Sequence, residues 1–104
     1  DAAALKKMKK TAVLLNVARG PVVNNAELYD ALVAGEIAAA GLDVVEKEPL
    51  EPGNPLSKLK DSNQLIITPH LAWASVEARR RCVQGACENI SAFLRGENRN
   101  VVNP

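Results

Sequence analysis

The sequence is sparing with the residues that most often announce a chemistry. It holds one histidine and two cysteines in 104 residues, which argues against a zinc site, since such sites gather four Cys and His ligands. Cys82 and Cys87 lie about a turn and a half apart on an expected helix, point to different sides and cannot bridge each other. They are expected to be small buried or half-buried fillers in a reducing compartment. No charge of one sign dominates: 13 Lys+Arg stand against 12 Asp+Glu, so there is no electrostatic footprint for nucleic acid or an anionic membrane, and Arg79-Arg80-Arg81 is too short to make one. No apolar run is long enough to span a bilayer and no signal peptide is visible, which makes the cytoplasm the expected compartment. Internal repeats and low-complexity segments are missing too. The chain opens at Asp1, without methionine and directly on a helix signal, and ends in a polar tail from Arg95 to Pro104, so it is expected to be part of a longer protein.

What the sequence does hold is an alternation of short helices and apolar strands. Asp1 is placed to cap a helix over Ala2 to Lys10, with four lysines toward its carboxyl end where the dipole favours them. Thr11 to Val17 is almost wholly apolar, with Asn16 the late exception, as in a parallel strand covered on both faces. Gly20-Pro21 breaks the chain, Asn24 or Asn25 can cap a second helix through about Ala34, and Gly35 ends it. A second apolar strand runs from Ala38 to Val45. After a loop from Glu46 to Asn63, rich in Pro, Glu, Gly, Asn and Ser, a third short strand spans Leu65 to Thr68. Ser75 then caps a long helix to about Arg95, whose apolar positions Val76, Val83, Ala86, Ile90, Phe93 and Leu94 predict one buried face. This order is the mark of an α/β fold built from parallel crossover units.

Arg19, Glu48 and His70 each follow the carboxyl end of a predicted strand, which is where parallel sheets bind ligands. Neighbouring strands lie about 4.8 Å apart, so the three exit loops can share one cleft. A lone histidine is more often structural than catalytic, but an acid within reach stabilises its imidazolium and makes it a proton donor or acceptor. An arginine beside them offers a permanently charged fork of donors for a carboxylate; its plainer role would be a surface ion pair. Asp43 stands near a strand end either as an acceptor for a polar ligand or as a loop partner. Trp73 either walls a pocket beside His70 or, as the safer expectation, packs under the long helix. Glu46, beside Lys47, is expected to be solvated.

Three runs are more specific than these placements. Asn16-Val17-Ala18-Arg19-Gly20-Pro21-Val22-Val23 with Glu27-Leu28, then Ala40-Gly41-Leu42-Asp43-Val44-Val45-Glu46-Lys47-Glu48-Pro49, then Thr68-Pro69-His70-Leu71-Ala72-Trp73-Ala74-Ser75, together resemble the carboxyl-terminal part of the D-isomer-specific 2-hydroxyacid dehydrogenases. All three stand in the family's order and cover nearly the whole chain. The form His-Leu-Ala-Trp-Ala-Ser is most similar to glycerate dehydrogenases, also called hydroxypyruvate reductases.

The resemblance implies the second half of a Rossmann-like doubly wound parallel sheet of three strands, followed by the long helix. Residues 1–74 would be the carboxyl-terminal part of a dinucleotide-binding domain, and 75–104 a crossover helix and tail packing toward a substrate domain. It implies that Arg19 binds the substrate carboxylate and carbonyl, that His70 exchanges the hydroxyl proton, and that Glu48 holds and charges His70. Asp43 would sit by the nicotinamide carboxamide of NAD, with NADP not excluded, and Val17, Ala18, Arg19, His70, Ala72 and Trp73 would line the same cofactor. Asn24-Asn25 departs from the Asp-Glu often found there. The Gly-x-Gly-x-x-Gly turn that seats a dinucleotide pyrophosphate on a helix amino terminus occurs nowhere in the chain. The expected activity is hydride exchange between a nicotinamide and a small D-2-hydroxy or 2-keto acid, shown by a longer parent and not by this chain alone. The family also contains dinucleotide-sensing corepressors, the competing reading. Homo-oligomers are expected, with self-association of the chain through a bare strand edge or an exchanged long helix.

Overall fold

The computed structural model describes residues 1–103, which divide into two compact units, Asp1–Leu71 and a second beginning at Ala72. The first unit holds helices α1 (Ala2–Leu5) and α2 (Asn25–Val33), strands β1 (Val13–Asn16), β2 (Ala39–Leu42) and β3 (Leu65–Ile67), and 3-10 turns over Gly20–Val22 and Pro55–Leu59. The strands form one parallel sheet in the order β1-β2-β3. The second unit is helix α3 (Val76–Leu94) with its flanking residues.

The helix starts follow from their caps. Asp1 accepts from the Ala4 N–H, Asn24 from those of Ala26 and Glu27, and Ser75 from that of Ala78. Gly35, at φ 66°, ends α2 in a left-handed conformation that suits a residue without Cβ. α1 stops at Leu5, short of the expected Lys10. Lys6, Lys7, Lys9 and Lys10 would stack like charges three and four residues apart on a continued helix, which costs what each further turn would gain. The Glu46–Asn63 loop also departs from expectation, since Asn54 caps a 3-10 turn within it and Leu56 from that turn is fully buried.

The core lies on one face of the sheet. Leu5, Leu28, Ala31, Leu32, Ile37 and Leu56 from the helices, turn and connections pack with Ala40, Leu42 and Leu65 from the strands. Register explains the choice of face: Leu14, Ala40 and Leu65 share a row turned inward, and Leu15, Gly41 and Ile66 share the next, turned outward. Leu15 is 73% exposed, so β1 is not covered on both faces as its composition suggested. Within this unit both helices and the second 3-10 turn contribute to a single core, and an apolar sequence records only that a strand's faces favour cover.

α3 brings a second correction. Only Ala92 is buried, and the stripe from Val76 to Leu94 is open, with Phe93 79% exposed. Cys82 and Cys87 are likewise exposed rather than core fillers, and both are free thiols. Among the described residues no helix is long and apolar enough to cross a membrane.

Candidate active site

The carboxyl ends of the three strands are level. Asn16, Leu42 and Ile67 stand in register, and the chain leaves all three on the same side of the sheet. Backbone bonds carry the alignment one residue further, from Asp43 N–H to the Asn16 carbonyl at 2.9 Å and from Thr68 N–H to the Leu42 carbonyl at 2.9 Å. Arg19, Glu48 and His70 therefore emerge along one edge.

Glu48 and His70 meet directly, with Nδ1 of His70 2.8 Å from Oε2 of Glu48 and both side chains about two-fifths exposed. The other Glu48 oxygen, Oε1, accepts from the Val45 N–H at 3.3 Å. The hydrogen bond with His70 is the largest influence on the Glu48 carboxyl and holds it below the usual carboxylate range, with help from the Val45 amide and against desolvation and the nearby charge of Asp43. A carboxylate only accepts, so Nδ1 is the donor of this pair. Glu48, His70, Asp43 and Thr68 border a cavity of about 270 Å³ whose apolar wall includes Leu50 and Ile67.

Arg19 stands in the turn after β1, and its guanidinium bends back to donate from Nη1 to the Ala18 carbonyl at 2.8 Å. Among the described residues no carboxylate lies within ion-pair distance of it, which disfavours the plain surface-pair role. The turn itself is fixed by Asn16, which is only 5% exposed. Its Nδ2 donates to the Arg19 carbonyl at 2.9 Å and its Oδ1 accepts from the Ala18 N–H at 3.1 Å. Val17 and Ala18 lie exposed beside it.

Gly20 locks this turn against the next strand end. A Cβ built on it would lie 1.8 Å from the Val45 carbonyl oxygen and 2.6 Å from the Glu46 nitrogen, and backbone cannot yield as a side chain tip can. Gly20→Ala is therefore expected to destabilise the fold by about 1–3 kcal/mol, the range for overpacking, as a lowered urea midpoint at unchanged slope. A midpoint equal to wild type would show that the turn is looser than this packing.

Asp43, 5% exposed, is a loop partner: its Oδ1 accepts from the Thr68 hydroxyl and the Leu71 N–H. Glu46 is exposed but not merely solvated, because its Oε1 accepts from the Asn25 N–H at 3.0 Å and helps to cap α2. Ala72 and Trp73 open the second unit. Trp73 is 59% exposed and not packed beneath α3 as expected; a flat ring cannot be buried by a helix whose own stripe is bare. Asn16, Gly20 and Thr68 were not among the site residues expected from the sequence, although Gly20-Pro21 was expected to break the chain and Asn16 stood out as polar. The signal for Asn16 was present, a lone polar residue closing an apolar strand, whereas Gly20 and Thr68 act through partners distant in the chain.

A family model described as "D-isomer specific 2-hydroxyacid dehydrogenase, NAD binding domain" matches residues 1–72. The chain belongs to this family. A glyoxylate reductase of Thermofilum pendens is 50% identical over 93 residues, covering 89% of the chain and 26% of that protein. A hydroxypyruvate reductase of Blautia hydrogenotrophica is 46% identical over 99 residues, covering 95% of the chain and 30% of its own length. The chain thus spans about a third or less of these relatives. A D-isomer specific 2-hydroxyacid dehydrogenase from Xanthobacter autotrophicus Py2, solved in complex with NADPH and MES, superposes with a TM-score of 0.71 at 42% identity, covering 99% of the chain and 40% of that structure. As an NAD-binding domain of a 2-hydroxyacid dehydrogenase, the chain has the Rossmann-like parallel sheet that its sequence resembles.

Proposed function

We propose that this chain carries the acid/base site of an oxidoreductase acting on a small D-2-hydroxy or 2-keto acid of the glyoxylate or hydroxypyruvate kind. The contact between His70 Nδ1 and Glu48 Oε2, at the carboxyl edge of a parallel sheet, carries this reading. Glu48 orients the ring and compensates an imidazolium, so that His70 delivers a proton to the forming hydroxyl in reduction and takes it back in oxidation. Arg19 binds the carboxylate and adjoining carbonyl in two-point contact and polarises the carbonyl. Val17, Ala18, Asp43, His70, Ala72 and Trp73 would hold the nicotinamide end of NAD or NADP, which supplies the hydride when bound.

The test is reduction of hydroxypyruvate and of glyoxylate by NADH or NADPH, followed at the nicotinamide absorbance in the full-length protein. The 104-residue chain alone is expected to show no turnover, because the glycine-rich turn that anchors a pyrophosphate is not in its sequence. Tight dinucleotide binding by the full-length protein without reduction of either acid would instead favour a sensing role.

A further inference from the structure

His70 is held in an unfavourable conformation. Its φ is 55°, in the left-handed region, where a residue with Cβ costs of order 1–3 kcal/mol unless its surroundings over-determine it. Those surroundings converge on one residue. The His70 N–H donates to the Asp43 carbonyl at 3.0 Å as well as to the Thr68 carbonyl at 3.0 Å. The Leu71 N–H donates to Oδ1 of Asp43 at 2.8 Å, and the Thr68 hydroxyl donates to the same oxygen at 2.5 Å. Between these attachments lies Pro69, which has no N–H to contribute. Asp43 thus grips the turn from both sides of His70. Being 5% exposed, its carboxylate has lost most of its water and needs these donors, and hydroxyl-to-carboxylate bonds of this length are among the strong ones.

We propose that the Thr68–Asp43 hydrogen bond is a clamp that positions His70 for proton exchange, with Thr68 a positioning residue. The inference rests on the acid/base role given to His70 above. A turn freed at Thr68 would let the left-handed residue relax, and the ring would swing away from Glu48 with it. Mere displacement of a reacting group by about 1 Å can cost 10²-fold in rate. Arg19, on a different turn fixed by Asn16 and Gly20, would keep the substrate carboxylate where it was.

The experiment compares Thr68→Val, which removes the hydroxyl at nearly constant volume, with Thr68→Ser, which keeps it. In the full-length protein Thr68→Val should lower kcat for hydroxypyruvate by about 10- to 100-fold with KM changed less than about twofold. Thr68→Ser should restore kcat to within about threefold of wild type. A second readout needs no turnover: the Glu48 carboxyl, followed by carbon NMR. The charged groups facing it are His70 on the β3 turn and Asp43 at the end of β2, and the His70 hydrogen bond is what chiefly holds it low. Its titration should therefore rise toward the ordinary carboxylate range in Thr68→Val and stay low in Thr68→Ser. Unchanged titration in a folded Thr68→Val protein, or equal loss in both variants, would overturn the clamp. If wild type itself reduces neither acid, the functional reading fails while the titration still decides the clamp. Should Thr68→Val not fold, Thr68→Ser decides alone, and loss of the low Glu48 titration in it overturns the proposal.

Discussion

Replacing His70 by asparagine in the full-length protein is expected to lower kcat for hydroxypyruvate reduction by about 10²–10⁴-fold, the usual worth of a positioned acid/base group. Asparagine is the informative replacement because it tolerates the left-handed φ of 55° better than other side chains, so the turn on Asp43 stays in place while the ring is lost. KM should move little, since the proposed function gives the carboxylate to Arg19. The same variant has a consequence on the acid side. Glu48 loses the hydrogen bond that most lowers its carboxyl, so its titration should rise toward the ordinary range. A carboxyl lowered on folding contributes stability that is fully present above the unfolded carboxylate value and is lost as pH falls through the folded one. The stability gap between wild type and His70→Asn should therefore narrow as the solution is acidified through that window, as read from urea midpoints at a series of acid pH values. Turnover within a few-fold of wild type would remove His70 from the proton path, and a gap that grows on acidification would contradict the Glu48 assignment.

The parts of this molecule that were legible in its sequence are those set by neighbours in the chain. Asp1, Asn24 and Ser75 act as helix caps because a cap bonds N–H groups two or three residues away. The three parallel strands followed from short apolar runs, the first two joined through a helix and the last two through a long loop. Glu48 and His70, 22 residues apart, were also legible as a pair, since each followed a strand end and parallel strand ends share an edge.

What the sequence did not disclose depends on partners far along the chain or on what covers a surface. The bond of Thr68 to Asp43 spans 25 residues and that of Glu46 to Asn25 spans 21, and no local pattern marks either. The open row at Leu15 and Ile66 and the bare stripe of α3 look like core in the sequence because periodicity reports a face's preference and not its cover. The end of α1 at Leu5 is a different kind of miss, in which lysines good for the helix dipole were too many for one another.

Arg19→Lys is expected to lower kcat/KM for hydroxypyruvate by about 10²–10³-fold although the charge is conserved, the scale of losing one donor aimed at a developing oxyanion. The main chain at this position is already fixed, by Asn16 bonding the Arg19 carbonyl at 2.9 Å and by Gly20 pressed against the Val45 carbonyl, so the substitution changes the side chain on a constant base. In the proposed function the guanidinium would present parallel donors to both the carboxylate and the neighbouring carbonyl oxygen and so fix the keto acid's orientation toward the His70 ring. An ammonium on a flexible four-carbon stem is a point charge that cannot hold two oxygens in parallel. Binding would then persist in part through charge while the reacting geometry is lost, so kcat should fall and KM rise together. Affinity for the dinucleotide, measured by fluorescence quenching, should change by less than about threefold, because the donors lost serve the acid. Turnover near wild type in Arg19→Lys would mean that charge alone suffices at this position and would remove the two-point contact from the mechanism.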